Sequence, residues 1–98
     1  MENGEGNYFI INAMGRDRIG LVAMLSRVVS NAGYNIIDFE QSSPHGIFSL
    51  IMIIEPTIKA IDKPMDFFHE RFNEIAAGTQ LTISINPFKG GLRKESKS

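Results

Sequence analysis

Apolar positions recur along this chain with two different periods, and the changes between them divide it into six elements. Residues 8–14 carry apolar side chains on both alternating faces, which is typical of a central strand covered on both sides. Residues 20–32 repeat apolar side chains every three or four positions, the pattern of one helical face, and a second such pattern runs from residue 61 or 62 to 76. The first helical face consists of Leu21, Val22, Leu25, Val28, Val29 and Ala32, and the second of Ile61, Met65, Phe68, Phe72 and Ile75.

Three further stretches alternate with the period of a strand. Residues 47–55 are apolar on both faces, which predicts an interior strand. Residues 34–43 and 80–86 each have one polar face, which predicts strands partly open to water or to a partner. In the second strand Ile37, Phe39 and Gln41 alternate with Ile36, Asp38 and Glu40, and in the fourth Leu81, Ile83 and Ile85 alternate with Thr82, Ser84 and Asn86.

Glycine and proline mark the expected ends of these elements. Gly33 stands where a left-handed residue closes a helix, and Gly78 has the same place after the second helix. Pro56 and Pro87 are expected to stop the strands before them, because proline lacks the N–H that a sheet requires. Asp62 and Pro64 suit the first turn of the second helix. The run from Ser43 to Gly46 predicts a hairpin turn between the second and third strands.

The order β-α-β-β-α-β predicts an α+β, ferredoxin-like fold. Right-handed crossovers in so short a chain give a four-stranded antiparallel sheet with both helices on one face. The other face is left bare, and apolar residues distributed over both faces imply an exposed patch of the kind that marks an interface. We therefore expect a homodimer.

The 98-residue length fits one small domain. Residues 1–7 are polar and glycine-rich, and we expect them to be disordered; residues 8–88 form the domain; residues 89–98 are expected to be a basic disordered tail. The chain has no cysteine and no long apolar run, so we expect a cytoplasmic protein that does not enter a membrane.

The charge pattern argues against a direct nucleic-acid binder. Net charge is −1, and residues 8–88 hold six Lys and Arg against eight Asp and Glu, so the domain lacks a basic excess. The β-α-β-β-α-β order also occurs in RNA-recognition domains, but residues 45–52 lack the spaced aromatic side chains on which those domains stack bases.

The joint between the first strand and first helix, Gly15-Arg16-Asp17-Arg18-Ile19-Gly20-Leu21-Val22, is the most informative stretch. A strand that turns sharply into a helix leaves the first helical N–H groups without backbone partners at the positive end of the helix dipole. Such a joint can hold an anion or a carboxylate, with Asp17 expected to cap nearby N–H groups. A plain strand-to-helix turn explains the same residues, and both interpretations stay open.

No constellation argues for an enzyme. Gly20 is followed by Leu21 rather than by the Lys-Ser or Lys-Thr of a phosphate loop, and two glycines do not make a dinucleotide fingerprint. His45 and His69 lack a third ligand at metal-site spacing, and adjacent His69 and Glu70 lie on different helical faces. We expect no catalysis, cofactor or metal.

Three motifs together resemble ACT domains. Asp17-Arg18-Ile19-Gly20-Leu21-Val22 is similar to the Asp-Arg-Pro-Gly-Leu motif between their first strand and first helix, and Gly33-Tyr34-Asn35-Ile36 to the Gly-x-Asn-Ile that opens their second strand. Gln41 with Gly46-Ile47-Phe48 resembles a subgroup that includes stand-alone ACT proteins, glycine-cleavage regulator-like proteins and the N-terminal module of formyltetrahydrofolate deformylase. The resemblance covers about residues 8–87.

The resemblance implies a small regulatory module that binds an amino acid or similar ligand at a dimer interface and signals to a protein partner. Its ligand loop would comprise Asp17, Arg18, Ile19, Gly20 and Leu21, with the N–H groups of the last two meeting a ligand carboxylate. Asn35 and Ile36, from the same or the neighbouring subunit, would contact the rest of the ligand. Ile19 replaces the proline usual in the family, which loosens the turn.

Two alternatives remain beside this hypothesis. In the first, the chain is a ligand-free module that dimerises or caps another protein through the bare sheet face. The second, a detached regulatory piece akin to that of the deformylase, is decided only by genomic neighbours.

Overall fold

The computed structural model describes residues 8–62 and 65–88. The segments expected to be disordered, 1–7 and 89–98, and Pro64 lie outside the described residues. Two short 3₁₀ turns occupy Pro44–Gly46 and Ile58–Asp62. The strands are β1 (Tyr8–Arg16), β2 (Tyr34–Ser42), β3 (Ile47–Pro56) and β4 (Thr82–Phe88), and the helices are α1 (Leu21–Asn31) and α2 (Met65–Thr79).

The four strands form one antiparallel sheet in the order β2-β3-β1-β4. The predicted β-α-β-β-α-β order and ferredoxin-like sheet are confirmed, with β1 and β3 in the interior as their apolar faces indicate. Side chains of both helices share one core with the alternate positions of β1 and β3, so the helices cover the same face of the sheet. The core consists of Ile11, Ala13, Leu21, Leu25, Val29, Ala32, Phe48, Leu50, Met52, Ile54, Phe68, Phe72 and Leu81.

The predicted alternation along β2 is wrong at one position. The pairing register shifts between Ile36 and Asp38, so Ile37 is an extra, bulged residue. As a result Ile36 and Phe39 lie on the helix side, opposite the core residues Ile54 and Met52. The polar face of Asp38 and Glu40 is as predicted, because those residues both follow the bulge.

Gly33 closes α1 as predicted. Its φ of 88° is left-handed, and its N–H donates to the carbonyl oxygen of Ser30 at 3.0 Å. A Cβ at this position would lie 2.7 Å from backbone atoms of Lys59 and Ala60. The glycine thus serves two purposes, the reversal of the chain and the close passage of the segment after β3.

The second helix and last strand differ from their predicted bounds. Residue 61 lies in the preceding 3₁₀ turn, and α2 continues through Gly78 to Thr79. Gln80, with φ 62°, makes the left-handed turn instead, and its N–H reaches the carbonyl oxygen of Ala76 at 2.7 Å. Pro87 lies within β4, which tolerates it because β4 is an edge strand.

The second face of the sheet carries no helix in the described residues. Its centre is apolar, with Ile51 and Met14 about half exposed, and its β2 side carries carboxylates. We call this surface the open face. Its positions, alternating with the core residues in the strand register, are Tyr8, Ile10, Asn12, Met14 and Arg16; Asn35, Asp38, Glu40 and Ser42; Ile47, Ser49, Ile51, Ile53 and Glu55; and Thr82, Ser84, Asn86 and Phe88.

Candidate functional site

The loop between β1 and α1 is exposed and ends in a left-handed glycine. Gly20 has φ 90° and occupies the N-cap position, immediately before the first helical residue. A Cβ there would meet no atom within 4 Å, so the conformation rather than crowding favours glycine. The space in front of the helix start is therefore open to a ligand.

The predicted capping role of Asp17 is wrong. Among the described residues no side chain caps α1, and Asp17 lies three residues before the N-cap residue Gly20. The N–H of Asp17 donates to the carbonyl oxygen of Gly46 at 2.9 Å. The carboxylate is exposed and makes no hydrogen bond or ion pair with another described residue. The loop is thus anchored to the β2–β3 turn, and its acidic side chain remains available.

The start of α1 is electropositive by construction. The first helical N–H groups have no carbonyl partners within the helix, and no acidic residue lies in the first turn to offset the dipole. Arg16 and Arg18 flank the loop, and both are exposed. This end of the molecule suits a small anion or a carboxylate.

Some of the predicted site residues are exposed, and others are part of the hydrophobic core or pack against it. Arg18 and Ile19 project into solvent, Ile19 completely. The side chain of Leu21 is buried in the core, and Ile36 packs against that core. Leu21 can therefore offer a ligand only its backbone N–H, and Ile36 is chiefly a packing residue.

Asn35 lies far from the loop within one chain. The loop precedes α1 and Asn35 follows it, and an eleven-residue helix separates them by roughly 16 Å. Asn35 is exposed and pairs with Glu55 on the open face. A single protomer does not bring the predicted site residues together.

A shallow hollow of about 710 Å³ adjoins the loop and is lined by Arg16, Asp17, His45, Gly46 and Ile47. His45 has a left-handed φ of 54°. Sequence reasoning placed His45 in a turn but did not connect it with the loop, because only the pairing of β1 with β3 brings residues 16 and 47 together. Arg16 in the same lining adds a positive charge beside the loop, which strengthens the preference of the loop for an anion.

The described residues contain no group of three or more His, Cys, Asp or Glu placed to hold a metal ion. Neither helix in that part of the chain has the length and apolarity needed to cross a bilayer. Burial raises the pKa of Tyr34, which lies outside the loop, above its ordinary value of 10.0.

Comparison with protein families decides the identity of this arrangement. Residues 7–71 match the ACT domain family model. The chain belongs to the ACT domain family. The resemblance found in the loop, in residues 33–36 and around Gly46 is thereby confirmed, and the chain is a member of a family of small regulatory domains.

Relatives by sequence include UPF0237 proteins. One from Streptococcus pneumoniae is 30% identical over 77 residues, 79% of this chain and 82% of the relative. One from Methanosarcina mazei is 43% identical over 47 residues, 48% of this chain and 51% of the relative. The matched part thus spans about half the length of the Methanosarcina relatives.

Solved structures confirm the fold. A proposed glycine cleavage system transcriptional repressor superposes with a TM-score of 0.75 at 23% identity, covering 90% of this chain and 49% of that one. An ACT domain protein from Streptococcus pneumoniae gives 0.68 at 21% identity, with 84% and 90% covered. A formyltetrahydrofolate deformylase from Pseudomonas syringae gives 0.72 at 23% identity, with 84% and 28% covered.

Proposed function

We propose that this ACT domain is a non-enzymatic, cytoplasmic regulator that binds an amino acid at a homodimer interface and passes that signal to a protein partner. The observation that carries the proposal is the uncapped start of α1, held open beside the β2–β3 turn by the bond from the Asp17 N–H to Gly46. The family supplies the expectation of a small ligand.

The two charged ends of an amino acid fit this loop in one direction. The ligand carboxylate would accept from the N–H groups of Gly20 and Leu21 at the positive end of the helix. Its ammonium group would lie near the unpaired carboxylate of Asp17. Charge-assisted hydrogen bonds of this kind are stronger than neutral ones, so the loop favours zwitterions over simple acids.

A second protomer would complete the site. β2 is an edge strand, and its last residues lead into the turn that contacts Asp17. Two β2 strands that pair antiparallel about a two-fold axis place the start of one beside the end of the other. Asn35 of one protomer would then lie next to the loop of its partner, and each dimer would hold two such sites.

Apolar exposure along β2 supports this interface. Ile37 is 41% exposed and Phe39 is 45% exposed. Both lie on an edge strand, which also presents unpaired backbone N–H and C=O groups. Pairing of two edges would cover these side chains and satisfy the backbone. The dimer thus joins burial of apolar surface to assembly of the ligand site.

The test is a thermal-shift screen of the twenty amino acids on the purified chain, with molecular mass measured alongside. A ligand that binds only the folded state raises its melting temperature. We expect a selective rise in a dimeric protein and its loss in Asp17→Ala. A retained rise in both Asp17→Ala and Asn35→Ala contradicts the site assignment.

The second candidate function is a ligand-free module for dimerisation or protein interaction. The exposed apolar centre of the open face favours it, as does Ile19, since the proline that would pre-set the loop is missing. A confirmed dimer with no thermal shift at millimolar amino acid supports this candidate over the sensor.

A further inference from the structure

We infer that the open face is a docking surface for the chain's own basic C-terminal segment, residues 89–98. The inference stands apart from the proposed ligand site, which lies at the β1–α1 loop. It rests on the charge of the open face, on the shape of that face between β2 and β3, and on the place where β4 ends.

The open face is acidic on one side. Asp38 and Glu40 of β2 are both exposed there, and Glu55 of β3 lies on the same face. Arg16 is the one basic residue among the open-face positions, and it lies at the far end of β1. A single oxygen of Asp38 accepts the N–H of Phe39 at 2.8 Å, which leaves its other oxygen free. The surface therefore favours a cationic partner.

A hollow between β2 and β3 places this charge beside apolar side chains. It has a volume of about 310 Å³ and is lined by Asp38, Phe39, Glu40, Ile51 and Ile53. Two carboxylates beside two isoleucines suit a segment that carries both an apolar side chain and adjacent cations, since long basic side chains bury their stems against apolar surface.

The segment after β4 has this composition. It reads Lys-Gly-Gly-Leu-Arg-Lys-Glu-Ser-Lys-Ser, with four basic residues against one acidic residue. Leu92 is followed directly by Arg93 and Lys94. Gly90 and Gly91 precede them and permit the sharp reversal that a return across the sheet requires. The described residues offer the open face no comparable basic run. Arg16 and Arg18 stand at the β1–α1 loop, Lys59 lies in the turn after β3, and Arg27 and Arg71 belong to the two helices on the opposite side.

The reach is sufficient. Phe88 pairs with Tyr8, so β4 ends on the open face at the end of the sheet where Glu55 and Asn35 lie. Three strand spacings and two residues along the strands separate Phe88 from Asp38, roughly 16 Å. Five residues bring the chain to Arg93 and span at most roughly 17 Å when extended, and the long side chain of Arg93 supplies the length that the turn at Gly90 and Gly91 takes up. Leu92 would then fall over Ile53 and Ile51, with Arg93 and Lys94 at the carboxylates of β2.

Trypsin cleavage of the full chain tests the inference, because trypsin cuts after Arg93 and Lys94 only when they are free. The rate is followed by mass spectrometry and divided by that of a free peptide of residues 89–98 in the same buffer. We expect the double variant Asp38→Asn with Glu40→Gln to be cleaved faster by roughly fivefold, as for two or three exposed ion pairs acting together. High salt should produce the same acceleration in the unaltered chain.

The matched control removes two carboxylates from the other side of the molecule. Glu70→Gln with Glu74→Gln on the exposed face of α2 changes the net charge equally, and should leave cleavage at the unaltered rate. Equal acceleration by both double variants, or cleavage of the unaltered chain at the free-peptide rate, overturns the inference. Protection that grows with protein concentration also overturns it, because the occupant is then a neighbouring copy.

Discussion

Asp17 and Gly46 are joined by a 2.9 Å hydrogen bond from the N–H of the first to the carbonyl oxygen of the second. This bond connects the loop before α1 to the turn between β2 and β3, two segments that are 29 residues apart in the chain. It places the positive end of a helix beside the end of an edge strand. The proposed two-subunit site follows from that proximity, since antiparallel pairing of two such edges carries Asn35 of one copy to the loop of the other.

Replacement of Gly33 by alanine should destabilise the domain by about 2–4 kcal/mol. The left-handed φ costs part of this free energy of unfolding, and contact of the new Cβ with the backbone of Lys59 and Ala60 costs the rest. Gly46→Ala is the matched control, because Gly46 has φ 81° but open space around it. Urea unfolding should show a loss of only about 1 kcal/mol there; equal losses at both positions contradict the crowding at Gly33.

Thr57 fixes the close approach between Gly33 and the segment after β3 through two hydrogen bonds. Its Oγ1 donates to the Gly33 carbonyl oxygen at 2.5 Å and accepts from the N–H of Lys59 at 3.1 Å. Thr57→Val keeps the shape and removes both bonds, so we expect a loss of about 1–2 kcal/mol in chemical unfolding. Thr57→Ser retains the oxygen and should lose much less. A serine variant as unstable as the valine variant would assign the effect to packing instead.

Leu25 and Met24 are neighbours on α1, and their different burial predicts different costs of substitution in the free energy of unfolding. Leu25 is fully buried and Met24 is 37% exposed. Leu25→Ala should cost about 2–5 kcal/mol, because the deletion leaves a cavity in the core. Met24→Ala should cost less than about 1 kcal/mol. Thermal and urea denaturation of the two variants compare them directly, and similar costs would show that the helix face is misassigned.

Tyr34 links stability to alkaline pH. Its ring packs edge-on against Phe9 and Phe68, with centroids 5.8 and 4.8 Å away, and burial raises its pKa above 10.0. The folded state therefore favours the neutral phenol, and the unfolded chain loses the proton at lower pH. The contribution of Tyr34 to stability is full below about pH 10 and is lost as the pH rises through the folded pKa.

Urea unfolding at pH 8 and at pH 11 measures this linkage. The unaltered chain should lose more stability between the two values than Tyr34→Phe does. Tyr8→Phe, which removes the hydroxyl group of the other tyrosine, is the control for the loss of a phenol as such. Identical losses in the unaltered chain and in Tyr34→Phe would contradict the linkage.

The sequence predicts most of the fold because the spacing of apolar residues within each helix and strand is a local signal. The face of α1 follows from Leu21, Leu25 and Val29, and the interior places of β1 and β3 follow from their two apolar faces. The bulge at Ile37 is not predictable in this way, because it depends on how β2 pairs with β3. The same holds for Gln80, which takes the turn that Gly78 would be expected to make.

The proposed ligand site is predictable from the sequence only in its separate parts. The motif at residues 17–21 identifies the loop, and Asn35 follows from its neighbours Gly33 and Ile36. Their separation by the whole length of α1 and the contact of Asp17 with Gly46 are properties of the folded chain. Asp17 also shows why a residue type near a helix start is weak evidence for a cap, since the backbone path decides where its side chain points.

The most direct measurement of the two-subunit site is a subunit-mixing experiment. Once the thermal-shift screen has identified the amino acid, Asp17→Ala and Asn35→Ala are each prepared as dimers and tested for binding by calorimetry. Neither variant alone should bind. After exchange of subunits, each mixed dimer has one site that carries both substitutions and one that carries neither, so roughly one site in four should recover affinity. Failure of the exchanged mixture to bind, with mixed dimers confirmed by mass, would contradict a site shared between subunits.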